Sequence, residues 1–281
     1  MNEVDITYVS SSGVAYPLVA TNFYIKEASI HEYEWEPEVN KFKYGDLVKT
    51  FSKDSKRYNI ILAFNGGLAS KEQMLKEFHD ETERDIMTES AGKLTYNGYE
   101  IPCYIISSKV YPNDSNTRTL NDVIIYCPYP FWIKETKYSI SLSGKQIIDG
   151  ANFKLNLPMN LGISGYQRVL NVDSSIPYDF RMVIHGACNN PEILINGHKY
   201  NVNTNVPPSV DLIINALEKT DIEKSIYLQY PSGNIVNVFN LRNRDFYIFE
   251  PIIGKTINIE SSQAINFDLY LIERRSEPQW I

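Results

Sequence analysis

The side chains that could support catalysis or bind a metal are few and scattered along the chain. The four histidines are His31, His79, His185 and His198, and none has a second ligand at a spacing typical of metal sites. His79 follows Phe78 on a predicted helix, so we expect it at the surface. His185 and His198 flank a pair of predicted strands, but no Cys or Asp adjoins them in sequence. We therefore predict neither a metal site nor a cofactor.

The carboxylates also lack a catalytic pattern. Glu32, Glu34, Glu36 and Glu38 alternate, so a strand would place them on one face, where they could hold a calcium ion or form a solvated face. We favour the solvated face. Four further acids are expected on the helix surface: Asp80, Glu81, Glu83 and Asp85. A glycosidase needs two carboxylates that converge in a cleft, and the spacing predicts no such pair.

Motifs of common enzyme classes are missing from the sequence. It contains no P-loop, no Gly-rich dinucleotide motif before a helix, no Gly-x-Ser-x-Gly elbow and no His-Glu-x-x-His. We therefore predict no catalytic residues and no enzyme activity. Two tryptophans, Trp132 and Trp280, are candidates for stacking on a sugar, although Trp132 follows two prolines and is expected to pack beside them.

The cysteine pattern favours a reducing compartment. Cys103, Cys127 and Cys188 are odd in number and widely spaced, which argues against a disulfide framework or a zinc site. Cys103 and Cys127 interrupt apolar runs, so we expect buried free thiols. We see no apolar core of a signal peptide and no transmembrane run, so synthesis in the cytoplasm and no membrane partner are expected.

Composition favours β-sheets over helices. The 281 residues include 20 Tyr, 12 Phe and 3 Trp, a pattern more typical of pleated sheets than of helical bundles or coiled coils. The chain carries 27 Lys+Arg and 34 Asp+Glu, for a net charge of -7. This charge argues against a basic chromosomal protein and against any nucleic-acid binder driven by overall charge.

One helix is predicted among the strands of the first half. It spans about residues 70–86, with Ser70 as N-cap, Gln73 completing a capping box, and an apolar stripe formed by Met74, Leu75, Phe78 and Thr82. A strand at 58–64 precedes it. A hairpin with an Asn97-Gly98 turn follows it.

Residues 31–57 interleave charged and aromatic side chains without a single core-facing period. This pattern is compatible with a solvated hairpin or with an arm that contacts another subunit, because Trp and Tyr are favoured at interfaces. We favour the arm. Its candidate interface residues are Trp35, Phe42, Tyr44 and Lys49.

The segment from Pro128 to Trp132 is the best candidate for a domain boundary, because two prolines cannot continue a central strand. We predict a first domain at 1–134 and a second at 135–281. Turn signals about every ten residues in the second domain indicate an all-β sandwich. Its predicted strands are 138–142, 153–157, 180–184, 192–195, 199–202, 211–215, 225–230, 235–239, 246–249, 256–259 and 266–272.

The order of these elements resembles the distal tail protein (Dit) family of siphophages that infect Gram-positive bacteria. Six stretches carry the resemblance: the strand, proline and aromatic ending at 122–131, the Asn-Pro strand and turn at 190–197, the strand at 210–215, the Ser-Gly-Asn turn at 232–234, the run at 237–240, and the Pro-Ile-Ile-Gly-Lys segment within 249–259. Residues 210–215 depart from the family pattern, with Val210-Asp211 in place of Gly-Glu and Asn215 in place of Asp.

The resemblance implies a mainly β chain with a β-rich, ring-forming N-terminal domain that carries one helix. It also implies a C-terminal antiparallel β-sandwich of galectin-like topology. The final residues are expected to return to the first domain.

Such a protein would be a structural part of the virion tail tip or baseplate. The implied assembly is a homo-hexamer, as one ring or two stacked rings, with a channel for DNA. The implied partners are the tail tube protein, a tail-associated lysin or tail fibre hub protein, and a receptor-binding protein, with no sequence-specific contact to nucleic acid. An alternative function is a carbohydrate-binding module that recognises a cell-wall polysaccharide.

Overall fold

The computed structural model describes residues 6–28, 30–111, 118–143, 146–147, 164–173, 176–216, 225–247 and 251–279. The chain is mainly β, as the composition predicted, and it divides into two compact units. The first unit comprises Met1–Lys134 and Arg274–Ile281, and the second comprises Glu135–Glu273. Each unit encloses its own hydrophobic core.

Within its described residues, the first unit consists of strands and one long helix. Its elements are β1 Ile6–Val9, β2 Ala15–Pro17, β3 Phe23–Ala28, β4 Glu36–Phe42, β5 Gly45–Ser52, β6 Lys56–Asn65, α1 Leu68–Met87, β7 Gly92–Tyr96, β8 Tyr99–Tyr111, β9 Arg118–Cys127 and the start of β10, Trp132–Leu142. The first half of β8 pairs with β7, in the strand order β2-β1-β7-β8. The second half pairs with β9, in the order β3-β6-β9-β8. A bulge between Ile105 and Ser107 separates the two halves, and such bulges bend a strand.

Helix α1 lies over this core through its predicted apolar stripe. Phe78 is fully buried and contacts an aromatic cluster formed by Tyr8, Tyr16, Phe23 and Phe64, with ring centroids 5.2–6.2 Å from its own. Thr82 is also buried, and Met74 and Leu75 pack against the core. The predicted helix and its core-facing side are therefore confirmed.

The predicted start of the helix is wrong. It begins at Leu68, and Gly67 stands at the N-cap in an extended conformation without a side-chain cap. Ser70 lies inside the first turn, and the Gln73 amide donates to Glu77 Oε1 at 2.9 Å. The flexible Asn-Gly-Gly sequence lets the chain turn directly from β6 into the helix, so the capping-box pattern has no role here.

The second unit contains two antiparallel sheets that enclose its core. Its further elements are β11 Gln146–Ile147, β12 Ser164–Asn171, β13 Tyr178–His185, β14 Cys188–Asn189, β15 Glu192–Ile195, β16 His198–Asn201, β17 Asn205–Val206, β18 Asp211–Asn215, β19 Ser225–Gln229, β20 Ile235–Asn237, a short 3-10 helix Phe239–Leu241, β21 Thr256–Ser261 and β22 Ile265–Arg275. One sheet includes β22-β13-β18-β19-β20, and the other has the order β11-β12-β21-β15-β16.

The predicted strands of this sandwich agree with the structure at most positions. Strands β15 and β18 have the predicted bounds, 192–195 and 211–215. The strand predicted at 235–239 ends at Asn237, and Phe246 and Tyr247 do not lie in a strand. The predicted strand at 153–157 lies outside the described residues. Both β13 and β18 turn every second side chain into the core, and Phe180, Met182, Leu212 and Ile214 are fully buried.

Candidate functional site: the hairpin arm

Strands β4 and β5 form a two-stranded hairpin, which we call the arm, within the predicted segment 31–57. They pair only with each other among the described strands. The turn falls at Lys43 and Tyr44 and ends at Gly45. Gly45 has a positive φ of 93°, a backbone conformation that glycine adopts more easily than residues with a side chain. All eight residues of β5 are exposed. An isolated two-stranded hairpin is at best marginally stable in water, so this arm is suited to being covered by a partner.

The register of the arm sorts its side chains onto two faces. Residues 37, 39 and 41 of β4 share one face, which we call the apolar face, with cross-strand pairs Pro37–Phe51, Val39–Val48 and Lys41–Asp46. The other face, which we call the polar face, carries the pairs Glu36–Ser52, Glu38–Thr50 and Asn40–Leu47, and Phe42 near the tip. In this chain Val48 is 45% exposed and Phe51 is 57% exposed.

The four predicted interface residues occupy different parts of this arm. Tyr44 at the turn is 87% exposed and Phe42 is 63% exposed. Lys49 falls at the register shift between the two strands, and its ammonium lies 3.3 Å from Glu38 Oε1. Because both groups of this pair are exposed, the ion pair contributes at most about 1 kcal/mol.

Trp35 lies at the base of the arm and contacts its own chain. Its indole N–H donates to Ser276 Oγ at 3.1 Å, and its ring centroid is 5.7 Å from that of Phe131. The Lys53 ammonium lies over both rings, 5.5 Å from the Trp35 centroid and 5.0 Å from the Phe131 centroid. Burial, with a smaller effect from Lys56, lowers the pKa of Lys53 to about 8. Trp35 thus anchors the base of the arm, whereas the tip and the apolar face of the arm are exposed to solvent.

The row of alternating glutamates is not a strand face over its whole length. Strand β4 begins at Glu36, and Glu32 and Glu34 precede it in irregular chain. Glu38 is paired with Lys49, and Glu32 lies 3.9 Å from Lys56. Within the described residues, no group of three His, Cys, Asp or Glu is arranged to hold a metal ion.

One acid that was predicted to lie on the helix surface is buried. Asp85 is fully buried and accepts hydrogen bonds from the Tyr8 hydroxyl, from the Ser11 backbone N–H at 2.9 Å and from the Ser11 hydroxyl at 2.6 Å. Burial, followed by the bond to Asp85, raises the pKa of Tyr8. The prediction failed because the partners are some 75 residues away, so helix periodicity alone could not reveal them.

His79 was predicted at the surface, and it is half-buried, with polar partners on two strands. Its Nε2 atom lies 2.8 Å from Ser108 Oγ and 3.2 Å from Nδ2 of the fully buried Asn121, and burial lowers its pKa. His79 therefore connects the helix to strands β8 and β9.

Two other histidines contact aromatic side chains. His31 contacts the Tyr96 hydroxyl at 3.3 Å, and His198 stacks on Tyr247 with centroids 3.8 Å apart.

His185 has two aspartates beside it, contrary to the sequence-based expectation. Its Nδ1 atom lies 2.8 Å from Asp211 Oδ1, and its Nε2 atom lies 3.2 Å from Asp268 Oδ2. Asp268 is also bound by Lys137 at 2.8 Å and by the Ser139 hydroxyl at 2.6 Å. Burial lowers the pKa of His185, but the bonds and charges of both aspartates outweigh burial and raise it above its usual value.

This cluster predicts a defined pH dependence of stability. Because the folded-state pKa of His185 is raised, its contribution is complete below about pH 6.5 and is lost as the pH rises through the folded-state value. Asp268 is partly desolvated, but Lys137, Ser139 and His185 lower its pKa, so its contribution is lost only in acid. We expect the loss from His185 to be below about 1 kcal/mol, because its ring is partly exposed. NMR titration should place the His185 pKa above 6.5.

The control for this expectation is removal of one carboxylate at a time. Asp211→Asn and Asp268→Asn should each lower the pKa of His185 and flatten the dependence of the unfolding free energy on pH between 6 and 8. A His185 pKa at or below 6.5 in the unmodified protein would contradict the assigned pairing.

One of the two tryptophan candidates for sugar binding, Trp132, loses its support. Trp132 is fully buried and donates its indole N–H to the Tyr58 hydroxyl at 3.1 Å, so its face is closed to a ligand. It packs in the first core, as predicted. Trp280 lies outside the described residues.

No helix in the described part of the chain is long and apolar enough to span a membrane.

Comparison with known proteins finds likeness in structure alone. No protein-family model matches the chain, and no curated protein matches its sequence. The SPP1 Dit protein, described as a paradigm of the hub adsorption apparatus in phages that infect Gram-positive bacteria, superimposes with a TM-score of 0.59 at 9% identity. The match covers 96% of this chain and 99% of that protein.

A second set of neighbours comes from the phage P2 baseplate in its activated conformation. A chain of the calcium-bound baseplate matches with a TM-score of 0.58 at 10% identity, and one of the strontium-bound baseplate with 0.55 at 10%. Each match covers 98% of this chain and 99% of the baseplate chain. The chain therefore has the fold of the SPP1 Dit protein and of a phage P2 baseplate protein over nearly its whole length.

Proposed function

We propose that this protein is a distal tail protein of a bacteriophage, a structural component of the tail tip or baseplate. The observation that carries the proposal is the fold, which matches two phage tail structures over at least 96% of this chain and 99% of theirs. A match that includes both units and the order of their elements favours the same kind of structural role. It gives no support to an enzyme.

In the proposed assembly, six copies form a hub ring in the virion, as a single ring or as two stacked rings. The ring joins the tail tube protein to a tail-associated lysin or tail fibre hub protein, and a receptor-binding protein attaches to it. The arm supports this arrangement because its Val48 and Phe51 side chains are exposed in the isolated chain. A neighbouring copy would cover them.

The proposed channel would let DNA pass without retaining it. The net charge of -7 supports this, because an acidic protein offers phosphate groups no general attraction. In this arrangement Phe42 and Tyr44 at the tip of the arm would contact a neighbour, and Lys49 would contribute charge that orients the contact. Charge pairs of this kind affect specificity more than affinity.

The test is the assembly state of the purified full-length protein. Native mass spectrometry should detect six copies, or twelve for two stacked rings, and negative-stain images should show rings with a central hole. A protein that stays monomeric up to the highest concentrations it tolerates, with no rings in the images, would contradict the proposal.

A further inference from the structure

Two cysteine thiols lie side by side in the core of the first unit. Tyr104 of β8 pairs with Tyr126 of β9, which brings the preceding residue, Cys103, next to the following residue, Cys127. Both are fully buried and free. The two side chains therefore point to the same side of the two strands.

The spacing of opposite residues in an antiparallel pair suits a disulfide. In ideal antiparallel sheets, Cα atoms of opposite residues are about 4.5 Å or about 5.5 Å apart, depending on whether the pair is hydrogen-bonded. Disulfides bridge Cα atoms about 4.4–6.8 Å apart. The register, continued by one residue from the Tyr104–Tyr126 pair, is therefore compatible with an S–S bond. The third cysteine, Cys188, is half-buried in the second unit.

We propose that Cys103 and Cys127 are a modification site, where a peroxide oxidises the two thiols to an internal disulfide. One thiol attacks a peroxide oxygen, the O–O bond breaks, and water leaves with that thiol's proton. The resulting sulfenic acid is attacked by the second sulfur, so the S–S bond forms, the S–O bond breaks, and a second water carries away the remaining proton. Two thiols lose two electrons in total, and one peroxide accepts them.

The surroundings of the pair explain why the reaction would be slow and selective. The hydrogen bond to Cys127, together with burial, raises the pKa of the Cys103 thiol, which keeps that thiol protonated at neutral pH. The pair would stay reduced in a cytoplasm and react only with a small neutral oxidant. Once formed, the bond would close a loop of about 25 residues and link β8 to β9. Such a link lowers the conformational entropy of the unfolded chain and so stabilises the folded protein.

The experiment compares the full-length protein with its Cys188→Ser variant, which keeps the pair. Each is incubated folded with dilute hydrogen peroxide and then unfolded in a thiol-alkylating reagent. After peroxide treatment the original protein should take up one alkyl group, whereas the untreated protein takes up three. The treated variant should take up none, whereas the untreated variant takes up two. In both proteins the disulfide should lower the mass of the polypeptide by two hydrogens. The disulfide should raise the unfolding temperature of the first unit by roughly 5–10 °C. Dithiothreitol should reverse the increase.

Other results would overturn the proposal. Full alkylation after peroxide treatment would show that the pair does not react. Addition of oxygen atoms at Cys103 or Cys127, or a peptide linked through Cys188, would show a different chemistry. Because the measurements use the unmodified pair, they do not depend on whether serine is tolerated in the core.

Discussion

The double variant Val48→Lys and Phe51→Lys should leave the protein folded but remove the proposed ring. Both side chains lie on the apolar face of the arm, and both are exposed in the single chain. Two lysines on this face would have to be desolvated without partners if a neighbour covered it. We expect a loss of about 3 kcal/mol for each contact between copies, or more than 100-fold in affinity. Mass photometry and negative-stain images would report the loss of rings.

The matched control places the same two charges on the polar face of the arm. Thr50→Lys and Ser52→Lys lie in the same strand, and their cross-strand partners are Glu38 and Glu36, so the new lysines face opposite charges. This variant should assemble normally. Rings that persist in the Val48 and Phe51 variant would exclude the apolar face as the contact. Loss of rings in the control alone would assign the contact to the polar face.

Replacement of Asp85 by alanine should destabilise the first unit by about 3 kcal/mol. The carboxylate accepts hydrogen bonds from the Tyr8 hydroxyl and from the Ser11 backbone and hydroxyl, and it is fully buried. Its removal leaves the buried Tyr8 hydroxyl without its acceptor, at a cost of about 1–3 kcal/mol, and also removes two hydrogen bonds from the exposed Ser11. Urea unfolding followed by tryptophan fluorescence would measure the effect, because Trp132 lies in the core of this unit.

The control for Asp85 is Glu83→Ala, an exposed acid on the same helix, which should change the unfolding free energy by less than about 0.5 kcal/mol. Gly92→Ala offers an independent check, because an added Cβ would lie 2.7 Å from Asp85 Oδ2 and from the Tyr8 hydroxyl, and 2.8 Å from the Val9 carbonyl. It should also destabilise the unit. Equal stability of the Asp85 and Glu83 variants would contradict the assigned role of the carboxylate.

The sequence-based predictions succeeded where a feature depends on neighbours along the chain. Short apolar runs bounded by turn signals predicted β15 and β18 with the correct bounds, and the stripe ending at Thr82 predicted the side of α1 that is buried. The Asn97-Gly98 turn was also correct, with positive φ at both residues. The arm was recognised as a hairpin. Its division into an apolar and a polar face required the register, which the shift next to Val39 alters.

The failures at the candidate site involve polar side chains whose partners are distant in sequence. Asp85 and His79 were expected at the surface of the helix, and His185 was expected to have no acid beside it. Their burial or pairing depends on residues such as Ser11, Asn121 and Asp268, which are 42 to 83 positions away. A polar group becomes tolerable inside a protein only when such partners are present. A local pattern contains no information about them.

The amino-acid sequence by itself determined the mainly β class, the single helix with its buried side, the exposed hairpin and the buried cysteines, because each depends on hydrophobic periodicity or turn chemistry over a few residues. Tertiary structure alone decided which face of the arm is apolar, which thiols are opposite each other, and which carboxylates are buried. These features arise from strand register and from contacts between distant segments. A one-residue change in register would exchange the faces of a strand, so they become defined only when the chain is folded.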